Sequence, residues 1–133
     1  MPDDIQVRIR SNLDIVTARQ EGRALAARVG FGATDITLIA TAISELARNI
    51  VSYAREGEIV LCVVEGANEK GVMIVSRDSG PGIRSVEDAM RDGYSTSGGL
   101  GLGLPGVRRL VDEFTIESAL GRGTVVRVTK WLR

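Results

Sequence analysis

Near the N-terminus, Ile5, Val7 and Ile9 alternate with Gln6, Arg8 and Arg10, the two-residue period of a strand over 5–10 that buries one face. Ser11 and Asn12 are capping residues for a helix over about 13–29, built on Ile15, Val16, Arg19, Leu25 and Val29 and stopped by Gly30. After Thr34 the spacing changes to three and four. Ile36, Ile39, Ile43, Leu46 and Ile50 put one apolar face on a second helix that runs to about Tyr53. Two apolar runs, 58–65 and 72–77, flank the polar stretch 66–71 and predict an antiparallel hairpin. Beyond Asp78 the chain becomes glycine-rich, with a short helix near 86–91. Pro105 suits the first turn of a helix over 105–114 carrying Val107, Leu110, Val111 and Phe114. Strands at about 114–119 and 124–131 meet around Gly121-Arg122-Gly123. Strands grouped with helices, without strict strand–helix alternation, predict a two-layer α/β sandwich.

Composition narrows the chemistry. The 133 residues fit one domain, 1–133, long enough to bury a real core. Seventeen basic residues balance seventeen acidic ones, so there is no basic footprint for nucleic acid. No apolar stretch approaches the roughly 20 residues of a membrane span, and no signal-peptide pattern opens the chain, so a cytoplasmic protein is expected. The chain has no histidine, which removes a Ser-His-Asp triad, HExxH zinc chemistry, imidazole bases and an internal phosphohistidine. One cysteine, Cys62, excludes intrachain disulfides and lies in the apolar run 59–64 as a core thiol.

Four segments carry candidate chemistry. On the second helix Glu45 and Asn49 are four apart and share a face, a carboxylate and an amide oxygen suited to a hydroxyl or a hard cation. An ordinary solvated polar pair has the same spacing. Asp78-Ser79-Gly80-Pro81-Gly82-Ile83 follows a strand; an acid there, with two glycines beside it, can accept from the exocyclic amine of a flat base, although the same residues also build tight turns. Ser95-Thr96-Ser97-Gly98-Gly99-Leu100-Gly101-Leu102-Gly103-Leu104 ends at a helix start, where freed amides can converge on an anion, although a flexible surface loop has a similar composition. It matches neither GxxxxGK[ST] nor the dinucleotide GxGxxG. Gly121-Arg122-Gly123-Thr124 alone reads as a turn.

The order of these four segments resembles the GHKL (Bergerat-fold) ATP-binding superfamily of histidine kinases, type II topoisomerases, heat-shock chaperones and mismatch-repair ATPases. The resemblance covers nearly the whole chain and implies a mixed, mainly antiparallel sheet with helices on one face. It implies ATP and Mg²⁺ as cofactors, with Asn49 on the metal and Glu45 orienting or deprotonating the attacking group. It also implies nucleotide contacts from Arg48, Asp78, Gly80, Gly82, Ile83, Gly99, Leu100, Gly101, Leu102, Gly103, Leu104 and Thr124, with 93–104 as an ATP lid and Thr124 behind Asp78 at the adenine. Within the superfamily the segments Thr41–Ile50, Asp92–Gly101, Gly103–Val107 and Lys130–Arg133 look like those of the stressosome switch serine kinases. That narrower likeness implies a serine/threonine kinase that phosphorylates STAS-domain scaffold or antagonist proteins and, once released, binds and activates a PP2C-type phosphatase. An anti-sigma-factor kinase and a nonenzymatic ATP-binding regulator are the alternatives. Ser44, where histidine kinases often carry histidine, and the lack of a preceding dimerisation helix pair weigh against a histidine-kinase fragment. The lack of a following domain weighs against a topoisomerase or chaperone fragment.

Overall fold

A computed structural model describes residues 4–80, 90 and 103–133. The expected short helix near 86–91 lies almost wholly outside them. Strand β1 (Ile5–Ile9) leads into helix α1 (Asn12–Val29), whose entry is held by the Asp14 carboxylate, an acceptor for the Arg10 and Ser11 amides at 2.8 and 3.2 Å. Gly30, at φ 115°, ends α1 and donates to Ala26 and Ala27 carbonyls, a left-handed cap that glycine adopts without a Cβ penalty. Helix α2 (Ala33–Asn49) packs against α1 so closely that a Cβ on Gly22 would overlap Ile43. Strands β2 (Gly57–Glu65) and β3 (Lys70–Asp78) form the hairpin, closed by Gly66 N–H donating to Glu69 O at 2.8 Å. Helix α3 (Gly103–Leu110) precedes β4 (Glu113–Ala119) and β5 (Gly123–Trp131).

The five strands make one sheet in the order β1-β2-β3-β5-β4, with all four pairings antiparallel. Register and alternation put Val7, Ile9, Ile59, Leu61, Val72, Ile74, Val126 and Val128 on the face that joins the helices' Ile15, Leu25, Ile39, Ile43, Leu46 and Val107 in one core. This is the two-layer arrangement expected. The opposite face is shielded by its own long side chains, including the Arg77–Glu58 pair at 3.4 Å, and Val60, Cys62 and Val75 are buried there. Cys62 is therefore a buried thiol as expected, on the face away from the helices. Burial first, and the negative charge of Asp4 second, push its pKa up. Among the described residues no helix is long and apolar enough to cross a membrane.

Two element boundaries differ from expectation. The second helix is α-helical only to Asn49, and Ile50–Ala54 continue as a wider π-helical turn that ends at Arg55, φ 73°. The apolar period runs through this segment, so periodicity alone could not show the change of pitch. The last helix starts at Gly103 and ends at Leu110, short of 114, while Phe114 belongs to β4. Sheet bonding captures the intervening chain: Asp112 N–H donates to Thr129 O at 2.9 Å, and the Asp112 carboxylate accepts from Trp131 N–H at 2.7 Å. Pro105 stays in the first turn, where its missing N–H costs no helix bond.

Candidate active site

The C-terminal half of α2 supplies the first two groups. Ala42, Ile43, Leu46 and Ala47 are buried in the core, which fixes the rotation of the helix and leaves Glu45 and Asn49 at the border of its inward face. Glu45 is only 7% exposed, and Asn49 is half-buried. The Glu45 carboxylate accepts from the Arg48 guanidinium at 2.7 Å, a pair one turn apart with Arg48 half in solvent. Arg48 thus compensates a carboxylate that would be costly to bury alone. Ser44 is buried and donates to Ala40 O at 2.9 Å, a satisfied core hydroxyl.

Asp78 is the last residue of β3 and faces the helix layer, in the alternation of Ile74 and Ser76. Its register partners are Gly57 on β2 and Thr124 on β5. Both flanking strands carry a glycine where a side chain would not fit. A Cβ on Gly57 would collide with Arg77 O, and one on Gly123, at φ 83°, would collide with the carbonyl of Asp78 itself. Glycine is thus required on either side for β2 and β5 to close on Asp78. The carboxylate accepts from the Gly80 N–H at 2.9 Å through Oδ1, which orients it and leaves Oδ2 for another donor. A Cβ on Gly80 would overlap Ala54, so Gly80 lies against the π-helical turn that extends α2. On the other side, Thr124 Oγ1 is 2.7 Å from Ser118 Oγ, completing a row Asp78-Thr124-Ser118 across three strands.

The fold therefore brings Asp78, Gly80 and Thr124 together at one end of the sheet, beside the turn that follows Asn49. Gly103 and Leu104 begin α3, which packs on α2, and both are buried. Gly82, Ile83, Gly99, Leu100, Gly101 and Leu102 lie outside the described residues. Gly57 and Ser118 were not foreseen. Gly57 precedes an apolar run and Ser118 sits mid-strand, so only the strand register connects them to Asp78. A shallow cavity of about 610 Å³ lined by Gln6, Arg8, Glu58, Arg77 and Val125 lies mainly on the opposite sheet face and reaches Asp78 only at the strand end.

Residues 10–130 match the model of the histidine kinase-like ATPase domain. Over all 133 residues the chain is 53% identical to serine/threonine-protein kinase RsbT of Bacillus subtilis, covering 100% of both chains. It is 32% identical to an anti-sigma F factor of Caldanaerobacter subterraneus over 119 residues, 86% of this chain and 83% of the relative. Among solved structures, the RsbU and RsbW domains of a Mycobacterium tuberculosis protein share its fold, with a TM-score of 0.63 at 21% identity, covering 96% of this chain and 31% of that one. With 53% identity over the full length and a family match over residues 10–130, the chain belongs to the histidine kinase-like ATPase family, within it to the RsbT-type serine/threonine-protein kinases.

Proposed function

We propose that this protein is a cytoplasmic, Mg·ATP-dependent partner-switching kinase. It phosphorylates a serine or threonine of an STAS-domain scaffold or antagonist protein and, when released, binds and activates a PP2C-type phosphatase. The observation that carries the nucleotide assignment is the clamped Asp78, whose free carboxylate oxygen beside Thr124 is a ready acceptor for the amine of adenine. Asn49 would offer its amide oxygen to Mg²⁺. No group of three or more acidic, cysteine or histidine side chains able to hold a metal occurs among the described residues. A hard cation of this kind would take its remaining ligands from phosphate oxygens and water. Bound Mg²⁺ neutralises and aligns the triphosphate.

Phosphoryl transfer asks mainly for alignment and charge stabilisation, so few protein groups suffice. Glu45, held by Arg48, would receive or steer the proton of the partner's hydroxyl. Amides of 99–104 would face the phosphates. Arg48, Ser52 and Arg55 are exposed along the outer side of α2 and its π-helical extension, a surface open to a docking protein. The test is transfer of labelled γ-phosphate from ATP to a serine or threonine of an STAS protein, lost when Mg²⁺ is chelated. The relatives that are anti-sigma F factors favour a second reading, a kinase that sequesters a sigma subunit; co-purification with a sigma subunit rather than with the phosphatase would select it.

A further inference from the structure

Val72, Ile74, Ser76 and Asp78 alternate along β3 on the face that meets the helices, so Ser76 is a hydroxyl among hydrocarbons. It is only 5% exposed, and its register partners, Ile59 on β2 and Val126 on β5, are buried and apolar. Among the described residues nothing hydrogen-bonds to the Ser76 hydroxyl, yet none of their side-chain oxygens or nitrogens sealed from solvent lacks a partner. The Ser76 Oγ therefore still reaches open space. Ile74 closes the strand behind it, and Ile59 and Val126 close the flanks, so the opening lies toward the strand end. At that end Asp78 follows two residues later, and Gly57, beside Asp78, carries no side chain. A hydroxyl buried without a partner is destabilising, whereas alanine or valine would continue the apolar face at no such cost. A ligand in the site that Asp78 borders would supply the partner.

Adenine presents such a partner. Its amine sits on the carbon next to ring nitrogen N1, which is an acceptor and lies at the end of the base far from the sugar. With the amine on Asp78, N1 is the polar atom on the inward side of the base, and a serine hydroxyl can donate to it. Same-face residues of a strand are roughly 6.5–7 Å apart, a gap that the base edge spans by itself or with one water. We propose that Ser76 is a second base-recognising residue, donating directly or through one ordered water to N1 of an adenine nucleotide whose amine Asp78 accepts. This role rests on Asp78 being the base acceptor.

Calorimetry in Mg²⁺ compares ATP with 1-deaza-ATP, in which a C–H replaces N1 and the amine is kept, on wild type and Ser76→Ala. Wild type should bind 1-deaza-ATP roughly two- to tenfold more weakly than ATP, the range of one neutral hydrogen bond. In Ser76→Ala the two affinities should converge, because only ATP binding weakens. The nucleotide-free alanine variant should melt no lower than wild type, since it loses no partner within the protein. A merely structural serine would instead lower the melting temperature and weaken both nucleotides alike, leaving their ratio unchanged. An unchanged ratio in Ser76→Ala, or a wild type that binds both nucleotides equally, overturns the role of Ser76. Should the alanine variant not fold, Ser76→Cys keeps the size with a much weaker donor and gives the same comparison. Purine riboside triphosphate, which keeps N1 and lacks the amine, reads Asp78 separately. If wild type binds it as tightly as ATP, the base assignment of Asp78 fails and the role of Ser76 with it; a penalty there without one for 1-deaza-ATP overturns Ser76 alone.

Discussion

At the scale of single residues, the oxygens of Asp78 are not equivalent. Oδ1 is engaged by the Gly80 amide at 2.9 Å, which leaves Oδ2 as the acceptor aimed elsewhere. In Asp78→Asn the amide oxygen would keep the Gly80 bond, and the NH₂ would occupy the place of Oδ2. There it would meet the adenine amine donor to donor. ATP affinity should fall by roughly 1–3 kcal/mol, the range of a charge-assisted hydrogen bond. Calorimetry on the folded variant checks this; undiminished affinity would take Asp78 out of the base site. Residue types at fixed spacing made Glu45, Asn49 and Asp78 legible in the sequence, because an acid at a strand end or an i, i+4 polar pair can be counted along the chain. Arg48's grip on Glu45 was not legible, since a guanidinium three residues from a carboxylate has several rotamers and only packing selects one.

At the scale of elements, the site depends on three strands approaching one another at their ends. Gly57 and Gly123 permit that approach on either side of Asp78, and Gly123 also adopts φ 83°. Gly123→Ala would incur both a left-handed backbone penalty and overlap with the Asp78 carbonyl. Stability should fall by roughly 2–5 kcal/mol. Urea denaturation should show this loss, whereas Gly32→Ala, a position with open space around it, should show a far smaller change. Most elements could be read from the hydrophobic pattern: alternation set β1, two apolar runs around a polar stretch set the β2–β3 hairpin, and three-four spacing set α2. Their ends could not. The π-helical turn preserves the apolar face that predicts an α-helix, and the end of α3 is decided by sheet bonds from Asp112 to a strand seventeen or more residues away. Gly123 was visible only as a turn glycine, because its close contact with Asp78 exists only once β5 pairs with β3.

At the scale of the whole molecule, the helices cover one sheet face and the other is closed by its own side chains. On the proposed function, a protein substrate docks beside the outer side of α2 and its π-helical extension, where Arg48, Ser52 and Arg55 are exposed. If the STAS substrate and the phosphatase share that surface, phosphorylation of the substrate places about −1.5 to −2 charges beside the nucleotide phosphates and favours separation. Unphosphorylated STAS protein should then displace the phosphatase from the kinase, and the phosphorylated form should compete poorly, by fluorescence anisotropy of a labelled phosphatase. A stable ternary complex of all three would rule out shared docking.

On the proposed function Glu45 assists transfer from a nucleotide held by other residues, and one measurement tests this role directly. Single-turnover transfer of γ-labelled phosphate from Mg·ATP to a STAS protein is compared between wild type and Glu45→Ala, with nucleotide affinity measured on the same preparations. The wild type should label a serine or threonine. Glu45→Ala should bind Mg·ATP nearly as well and transfer roughly 10²–10⁴-fold more slowly. Transfer at the wild-type rate by Glu45→Ala, or a wild-type protein that binds Mg·ATP yet labels no partner, would contradict the account.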